Sequence, residues 1–313
     1  MKWEKKGLIY QPTSNGDWMV SHAQLPTVDK VSNEVLRIYF GTRDMFNRTV
    51  TTYLEVEADN PSNILYIHEK PVLNLGELGC FDDSGAMPSW IVNQGGMKYL
   101  YYIGWNAGVS VPYRNSIGLA ISDNGGQTFT RLFEGPIVDR TKTEPHFCGA
   151  SCVIIENNTW RMWYLSAIKW AVIYNKPEPV YHIKYAESTD GYDWKRTGIV
   201  CIELKSPEEG GITRPCVIHE DGIYKMWYSY RGVKDYRANK EFSYRIGYAE
   251  SKDGLAWERK DHLAGIDISE AGWDSEMVTY AQIYEHGGEK YMIYNGNGFG
   301  KSGFGYAVMS SHG

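Results

Sequence analysis

Residues 213–232 read TRPCVIHEDGIYKMWYSYRG and residues 244–259 read YRIGYAESKDGLAWER, and this stretch decides the fold of the chain. It contains four short runs rich in Val, Ile, Tyr and Trp, separated by Asp-Gly or glycine-rich segments, at 215–219, 224–228, 244–250 and 257–259. β-branched and aromatic residues favour strands, and Asp-Gly favours tight turns. The stretch therefore predicts one unit of four antiparallel strands.

The second run of this unit recurs along the chain. A tyrosine occupies the same place in each copy, with successive gaps of 63, 62, 64 and 66 residues, at Tyr39, Tyr102, Tyr164, Tyr228 and Tyr294. Five units of this length account for all 313 residues, and no Pro/Ser-rich linker divides them. The repeat predicts an all-β, five-bladed β-propeller of four-stranded antiparallel blades that forms a single domain over residues 1–313.

The fifth unit ends where its fourth strand should begin. Residues 310–313 followed by residues 1–7 read SSHGMKWEKKG, which matches STDGYDWKRTG at 188–198. We therefore expect the N-terminal strand to complete the last blade and close the ring. Closure removes the open sheet edge that would otherwise invite pairing with another molecule.

Composition narrows the classes of function. The net charge is −6 with both signs interspersed, which disfavours nucleic acid and anionic membranes as partners. The sequence has no apolar run of signal-peptide or bilayer-spanning length, and its five cysteines lack metal or redox spacing. These features indicate a cytoplasmic protein with buried free thiols and without a metal or cofactor.

Functional groups are expected at one mouth of the ring. The loops that lead into the innermost strands and the loops that join second to third strands meet there, and they carry carboxylates, arginines and aromatic residues from several units. Aromatic faces with Asp, Asn and Arg suit the recognition of sugars. Paired carboxylates also suit glycosidic chemistry, in which one protonates the leaving oxygen while the other acts as base or nucleophile.

Several motifs resemble those of a known superfamily, namely FDDSG (81–85), YYIGWN (101–106), GYAESKDG (247–254) and YNGNGFG (294–300). The chain is similar to the five-bladed β-propeller glycoside hydrolases of families 43, 32, 68 and 130. It most resembles a glycosidase-like group found among bacterial surface-sugar biosynthesis proteins. The resemblance implies an acid on each of the first three blades: a base or nucleophile, an Asp that tunes a pKa, and a general-acid Glu.

By position, Asp82 or Asp83 resembles the second acid and Glu144 the third, whereas the first blade has His22-Ala23-Gln24 where Asp-Pro is usual. The catalytic acids expected from the sequence are Asp82, Asp83, Glu144 and Glu276. The substrate contacts expected are His22, Arg43, Asp44, Trp105, Arg214, Arg231, Asp274 and Asn295. Asp82 and Asp83 also suit turn caps, and Glu144 also suits an ordinary surface position.

The leading hypothesis is a glycoside hydrolase-like enzyme that acts on a glycan, sugar conjugate or activated sugar at the channel mouth. One alternative is a non-catalytic carbohydrate-binding propeller of surface-polysaccharide metabolism. Another is a glycoside phosphorylase in which Arg43, Arg214 and Arg231 recognise an anion. Two acids that face one another across the mouth would favour the enzyme, whereas acids held in ion pairs away from it would favour the binding protein.

Overall fold

The computed structural model describes residues 1–14 and 16–310, and nearly all of its regular structure is β. A short turn, labelled α1, spans Asn297–Gly300, with Gly298 and Phe299 in the left-handed region of φ. The first half of the chain forms β1 (Trp3–Tyr10), β2 (Ser21–Lys30), β3 (Val35–Arg43), β4 (Thr49–Glu57), β5 (Ile64–Ile67), β6 (Gly85–Gln94), β7 (Met97–Ala107), β8 (Tyr113–Ser122) and β9 (Thr130–Arg131). The second half forms β10 (Cys148–Glu156), β11 (Thr159–Ile173), β12 (Lys176–Ser188), β13 (Lys195–Ile202), β14 (Glu209–Glu220), β15 (Ile223–Gly232), β16 (Arg245–Ser251), β17 (Glu258–Arg259), β18 (Thr279–His286), β19 (Glu289–Asn295) and β20 (Phe304–Met309).

The strands form antiparallel groups of four consecutive members, beginning with β2–β5 and continuing with β6–β9, β10–β13 and β14–β17. The last group takes β18, β19 and β20 and adds β1 as its outer strand, from Trp3 opposite Met309 to Tyr10 opposite Phe304. The predicted pairing of the N-terminal strand with the last strand is thus confirmed. The matching residues 311–313 lie outside the described part of the chain.

The repeated tyrosines are among the best-buried large side chains of their groups. All five are fully buried on the second strands. The predicted run 215–219 lies within the longer strand β14, and 224–228 lies within β15. The repeat seen in the sequence therefore reflects one buried position on the second strand that recurs in every group of strands.

The Asp-Gly segments form turns by side-chain hydrogen bonds. The Ser251 hydroxyl accepts a hydrogen bond from the Gly254 amide (2.8 Å), and Asp253 Oδ1 accepts from the amides of Leu255 (2.8 Å) and Ala256 (2.9 Å). Gly254 has a φ of +76°, a left-handed conformation in which glycine carries no Cβ penalty. This geometry explains why the turn sequence returns in successive units.

The innermost strands, β2, β6, β10, β14 and β18, contact one another in a closed order. Hydrogen bonds join every neighbouring pair, among them Asn93 to Asp29, Ser89 to Ser151, the Val217 amide to Cys152, the Ile283 amide to Cys216, and the Val28 amide to Gln282. Cys152 and Cys216 are buried free thiols whose sulfur atoms accept backbone hydrogen bonds. The described residues contain no helix that is long and apolar enough to cross a bilayer.

Candidate functional site

A cavity of about 460 Å³ opens at the starts of the innermost strands. All five strands contribute to its lining near a shift in strand register: Gln24 and Leu25, Met87, Ala150, Thr213, and Tyr280. Such β-bulges re-aim side chains and often border functional sites. Leu25, Ala150 and Tyr280 also have positive φ, a conformation that non-glycine residues adopt rarely. The bulges therefore shape the backbone at the cavity.

The loops and strand ends between second and third strands form the remaining lining. They contribute aromatic rings, amides and two arginines: Arg43, Asn47, Trp105, Tyr113, Asn115, Tyr181, Tyr236, Arg237 and Phe299. Among the described residues, no Asp or Glu lines this cavity. The site is therefore amphipathic and cationic, with planar side chains that could pack against a sugar ring.

Arg43 is the cation of this cavity that lacks an acidic partner. Its Nε donates to Gln24 Oε1 (3.1 Å) and its Nη1 donates to Asn47 Oδ1 (2.8 Å), both neutral amide oxygens. Within the described residues no carboxylate lies within 4.0 Å of this guanidinium, whereas Arg237 contacts Glu178 at 2.6 Å. Burial lowers the pKa of Arg43 from its ordinary value, since a charge away from water is costly.

Tyrosine hydroxyls supply further polar groups. Tyr181 accepts a hydrogen bond from Arg231 Nε (3.1 Å) and shares a short hydrogen bond with Tyr244. Burial raises the pKa of Tyr113 and Tyr280 above the ordinary value, so both hydroxyls remain protonated at neutral pH. These groups can donate hydrogen bonds to the oxygens of a bound ligand.

His22 lies next to the cationic side of the cavity. Its Nδ1 is 2.8 Å from the Ser21 hydroxyl. Burial, assisted by the nearby charges of Arg43 and Lys301, lowers the pKa of His22 to about 4. The imidazole is therefore neutral at pH 7, and a bound anion would favour its protonation.

Asp82 lies in a buried cluster outside the cavity lining. Its Oδ2 accepts a hydrogen bond from the Tyr102 hydroxyl (3.0 Å) and pairs with Arg131 (2.7 Å). The carboxylate has no solvent exposure. Asp82 thus neutralises Arg131 and ties its loop to the outermost strand β9.

Glu144 occupies an equivalent cluster in the next group of strands. It accepts hydrogen bonds from Tyr164 (3.0 Å) and Ser166 (2.7 Å), and lies 3.9 Å from Lys184 and 3.8 Å from Arg196. The side chain is only 5% exposed. The sequence interpretation as an ordinary surface charge is therefore wrong.

Asp274 repeats the arrangement in the last group, where it accepts from Tyr294 (2.9 Å) and pairs with Lys5 (2.7 Å). In each cluster the repeated tyrosine of the second strand donates to an acid, and a cation of the fourth strand pairs with that acid. Asp261 joins the series, since it accepts from Tyr228 and pairs with Arg259 of β17 (2.9 Å). The clusters are thus a repeated structural device that fastens loops to the outer strands.

Of three other predicted residues, two serve local structure and one is exposed. Asp83 accepts from the Gly79 amide (3.1 Å) and from Ser84 (2.9 Å), which makes it a turn cap. Asp44 caps its own loop through the Phe46 amide (2.9 Å) and pairs with Arg48 (2.8 Å). Glu276 is exposed. None of the four predicted catalytic acids lines the cavity, so the structure does not gather them around one reacting centre.

Arg214, Arg231 and Asn295 are buried behind the cavity rather than lining it. Arg214 extends from β14 to Ser89 of β6, to Pro26 (3.1 Å) of β2 and to Gln282 (3.3 Å) of β18, and burial lowers its pKa to about 10. Asn295 bridges to the Ala23 carbonyl (2.6 Å). Arg214 thus joins four innermost strands, whereas Arg231 bonds to Tyr181 and Pro179 of β12. Arg43 and Trp105 remain as predicted contacts that line the cavity.

The sequence interpretation missed most of the aromatic wall. Tyr113, Tyr181, Tyr280 and Tyr236 were not singled out because tyrosine is abundant in every unit of this chain. Their common signal was position, since they lie at innermost-strand starts or in the second-to-third-strand hairpins. The prediction instead selected acids of the lead-in loops, which are the loops that lead into the innermost strands. Those loops contribute no residue to the lining.

Comparison with known proteins identifies the family by sequence. The chain is 38% identical over 311 residues to Uncharacterized protein MT1551 of Mycobacterium tuberculosis (strain CDC 1551 / Oshkosh), a match that covers 99% of this chain and 100% of that protein. No family model matches the chain. The chain therefore belongs to the family of MT1551.

Solved structures with a similar fold include glycoside hydrolases. The chain matches one structure, named only as a glycoside hydrolase, with a TM-score of 0.73 and 18% identity, over 99% of this chain and 92% of that protein. It matches a thermostable family-43 glycoside hydrolase with a TM-score of 0.67 and 19% identity, over 96% of this chain and 90% of that protein. The likeness covers the whole β-propeller-like fold and confirms, for the fold, the resemblance inferred from the sequence motifs.

Proposed function

We propose that this member of the MT1551 family binds an anionic saccharide, one that carries a carboxylate or phosphate group, in the cavity beside Arg43. The ligand would occupy the mouth of a closed ring in which the five groups of strands are five blades. The closed order of hydrogen bonds among the innermost strands and the five equivalent bulges support this blade count.

The observation that carries the proposal is the Arg43 guanidinium, which contacts only amide oxygens in a cavity without a lining carboxylate among the described residues. Arg43 is half-buried, and a partly desolvated cation is stabilised when an anion or hydrogen-bond acceptors compensate its charge. The planar guanidinium presents donors that match carboxylate and phosphate oxygens. An anionic ligand would supply the missing countercharge.

The aromatic wall supports a sugar as the body of this ligand. Trp105, Tyr113 and Phe299 offer ring faces or edges, while Asn47 and Asn115 offer amides that can bind hydroxyl groups. The volume of about 460 Å³ lies within the range of small-molecule sites, which is roughly 300–1,000 Å³. The glycoside hydrolase fold is consistent with the same ligand class.

Glycoside hydrolysis is the second candidate, and the likeness to a family-43 glycoside hydrolase over 96% of the chain favours it. It would require an acid and a base on either side of a glycosidic bond. Because Asp82 and Glu144 are held in ion pairs outside the lining, hydrolysis through them would need a rearranged site. Binding without carboxylate chemistry fits the present geometry better.

The test is isothermal titration calorimetry with matched monosaccharides in neutral, uronate and phosphate forms. The charged forms should bind more tightly than the neutral form. The Arg43→Gln variant should lose about 10-fold to 100-fold in affinity for the charged forms, the usual worth of a charge-assisted hydrogen bond, and Arg43→Lys should lose less. Arg140→Gln, which removes an exposed arginine outside the lining, is the matched control.

Equal affinity for neutral and charged sugars, or an Arg140→Gln loss as large as that of Arg43→Gln, would refute the anionic site. Turnover of nitrophenyl glycosides that Asp82→Asn or Glu144→Gln abolishes, with folding intact, would instead support the hydrolase.

A further inference from the structure

Two hairpins project beside the cavity. Strand β11 pairs with β12 as far as Ile173 opposite Lys176, and a two-residue turn of Tyr174 and Asn175 closes the hairpin with both residues at positive φ. Leu165 of the same strand lines the cavity, so the strand continues about 25 Å beyond it at the rise of an extended chain. The β7–β8 hairpin reaches the same side through its own turn at 108–112.

The tips of these hairpins expose apolar side chains. Val109 is fully exposed, Val172 is 74% exposed, Tyr174 is 71% exposed, and Ile168 is also exposed. We call these four residues, with the cations Arg114, Lys169 and Lys176, the hairpin patch. A cluster of large exposed apolar side chains beside a cavity commonly marks an interaction surface.

The two hairpins form one surface rather than two isolated tips. The rings of Tyr113, at the tip of the β7–β8 hairpin, and Trp170 of β11 pack edge to face with centroids 5.4 Å apart and join the two hairpins. Both rings also belong to the aromatic group around Phe147. The patch is therefore a continuous extension of the cavity wall.

The charge of the patch is opposite to that of the whole protein. Segments 107–114 and 168–176 contain three exposed cations and no Asp or Glu, although the protein carries a net charge of −6. The patch has an acidic neighbour in Asp235, whose Oδ2 accepts a hydrogen bond from the Tyr174 hydroxyl (3.5 Å), so the patch keeps an excess of two positive charges over this acid. The sequence-based expectation against anionic membranes relied on net charge. Surface electrostatics act within about a Debye length. The charges of a local cluster, rather than the net charge of the protein, therefore determine which surface attracts that cluster.

We propose that the hairpin patch docks on a lipid bilayer that contains anionic phospholipids. The aliphatic side chains of Val109, Ile168 and Val172 offer no planar face for stacking on a sugar, but they can enter the boundary between headgroups and acyl chains. Arg114, Lys169 and Lys176 would lie at the level of the lipid phosphates, where each cation strengthens binding. Apolar tips flanked by cations match such a surface better than they match a soluble polyanion.

Docking would present the cavity to a saccharide displayed on that membrane. This extension rests on the proposed function, because it takes the ligand of the cavity to be an anionic saccharide. The docking itself does not depend on Arg43, so the two proposals can fail separately.

The experiment is co-sedimentation of the full-length protein with vesicles of phosphatidylcholine alone and of phosphatidylcholine mixed equally with phosphatidylglycerol. Wild type should bind the mixed vesicles and lose affinity as salt is added. Lys169→Glu/Lys176→Glu should weaken binding at least 10-fold, since each cation is worth roughly a fivefold change in partitioning. Val172→Ser/Tyr174→Ser should weaken binding to a similar degree.

Matched controls carry the same changes elsewhere on the surface. Lys195→Glu/Lys252→Glu and Val31→Ser/Leu65→Ser alter exposed residues outside the hairpin patch and should bind as wild type does. Unchanged thermal unfolding of each variant excludes misfolding as the cause of lost binding.

Failure of wild type to bind mixed vesicles better than phosphatidylcholine alone would overturn the proposal, as would equal losses in the control variants. Binding of soluble polygalacturonate through the patch without vesicle binding would assign it to a glycan and also overturn the proposal. An Arg43→Gln variant that binds vesicles normally but no charged sugar would separate docking from ligand recognition.

Discussion

Charged side chains have acidic or basic partners in the lead-in loops, whereas in the cavity Arg43 has none among the described residues. In the lead-in loops, Asp82, Glu144 and Asp274 each accept a tyrosine hydrogen bond and pair with a cation of the outermost strand. In the cavity, Arg43 contacts neutral amides, and Arg231 behind it contacts a tyrosine and backbone carbonyls. The protein neutralises the first set internally and leaves the second set without an acid.

This difference separates charges that stabilise the fold from charges available to a ligand. A buried carboxylate that is paired with a cation already has its countercharge, and removing it leaves that cation unpaired. A guanidinium bonded only to amides still gains free energy when an anion arrives. Changes in the loop clusters should therefore affect stability, and changes in the cavity should affect affinity.

Among the variants considered, Glu144→Gln should cause the largest change, a loss of stability without a loss of affinity. The amide keeps the size of the side chain but leaves Lys184 and Arg196 without their nearest carboxylate. Loss of one partner of a buried ion pair costs about 3–5 kcal/mol, so the free energy of unfolding in urea should fall by that amount. Affinity for the charged saccharide should stay the same.

Glu134→Gln, which changes an exposed glutamate of the same loop, serves as its control and should leave stability unchanged. A Glu144→Gln variant as stable as wild type but deficient in glycoside turnover would break the comparison and make Glu144 a catalytic acid.

A smaller effect should follow from the titration of His22. Its pKa is about 4 in the folded protein and 6.5 ordinarily, so the unfolded state takes up more protons between these values. The contribution to stability is present above pH 6.5 and is lost as the pH falls toward 4, by about 1–3 kcal/mol. Urea unfolding across this range should show a shallower loss for His22→Gln than for wild type.

The same measurement in the presence of ligand tests whether the cavity binds an anion. A bound uronate beside Arg43 should raise the pKa of His22 and reduce the difference between wild type and His22→Gln. Identical pH profiles for the two proteins, with and without ligand, would show that His22 does not sense this region.

The smallest effect is expected for Glu276→Gln. The side chain is exposed and lies outside the cavity lining, so both the free energy of unfolding and saccharide affinity should change by less than about 0.5 kcal/mol. Calorimetric titration and urea unfolding of this variant check both values. A large loss of affinity would show that the lead-in loop of the last group takes part in ligand binding.

The sequence alone determined the strands, their repeat and the pairing of the first strand with the last. These features follow from local patterns, because alternating apolar residues, repeated tyrosines and Asp-Gly turns specify strands wherever they occur. The tyrosine position held in every unit, from Tyr39 to Tyr294. Arg43 and Trp105 were also placed in the cavity wall by their loop positions.

Only the tertiary structure decided which charges are satisfied. Asp82 meets Arg131, and Glu144 meets Arg196, across about fifty residues of intervening sequence, so no local pattern shows that these acids are occupied. The cavity also depends on five bulges that shift strand register by small steps at separate places in the sequence. Hydrophobic periodicity fixes which strands form, whereas the partner of a buried charge is fixed by packing between distant segments.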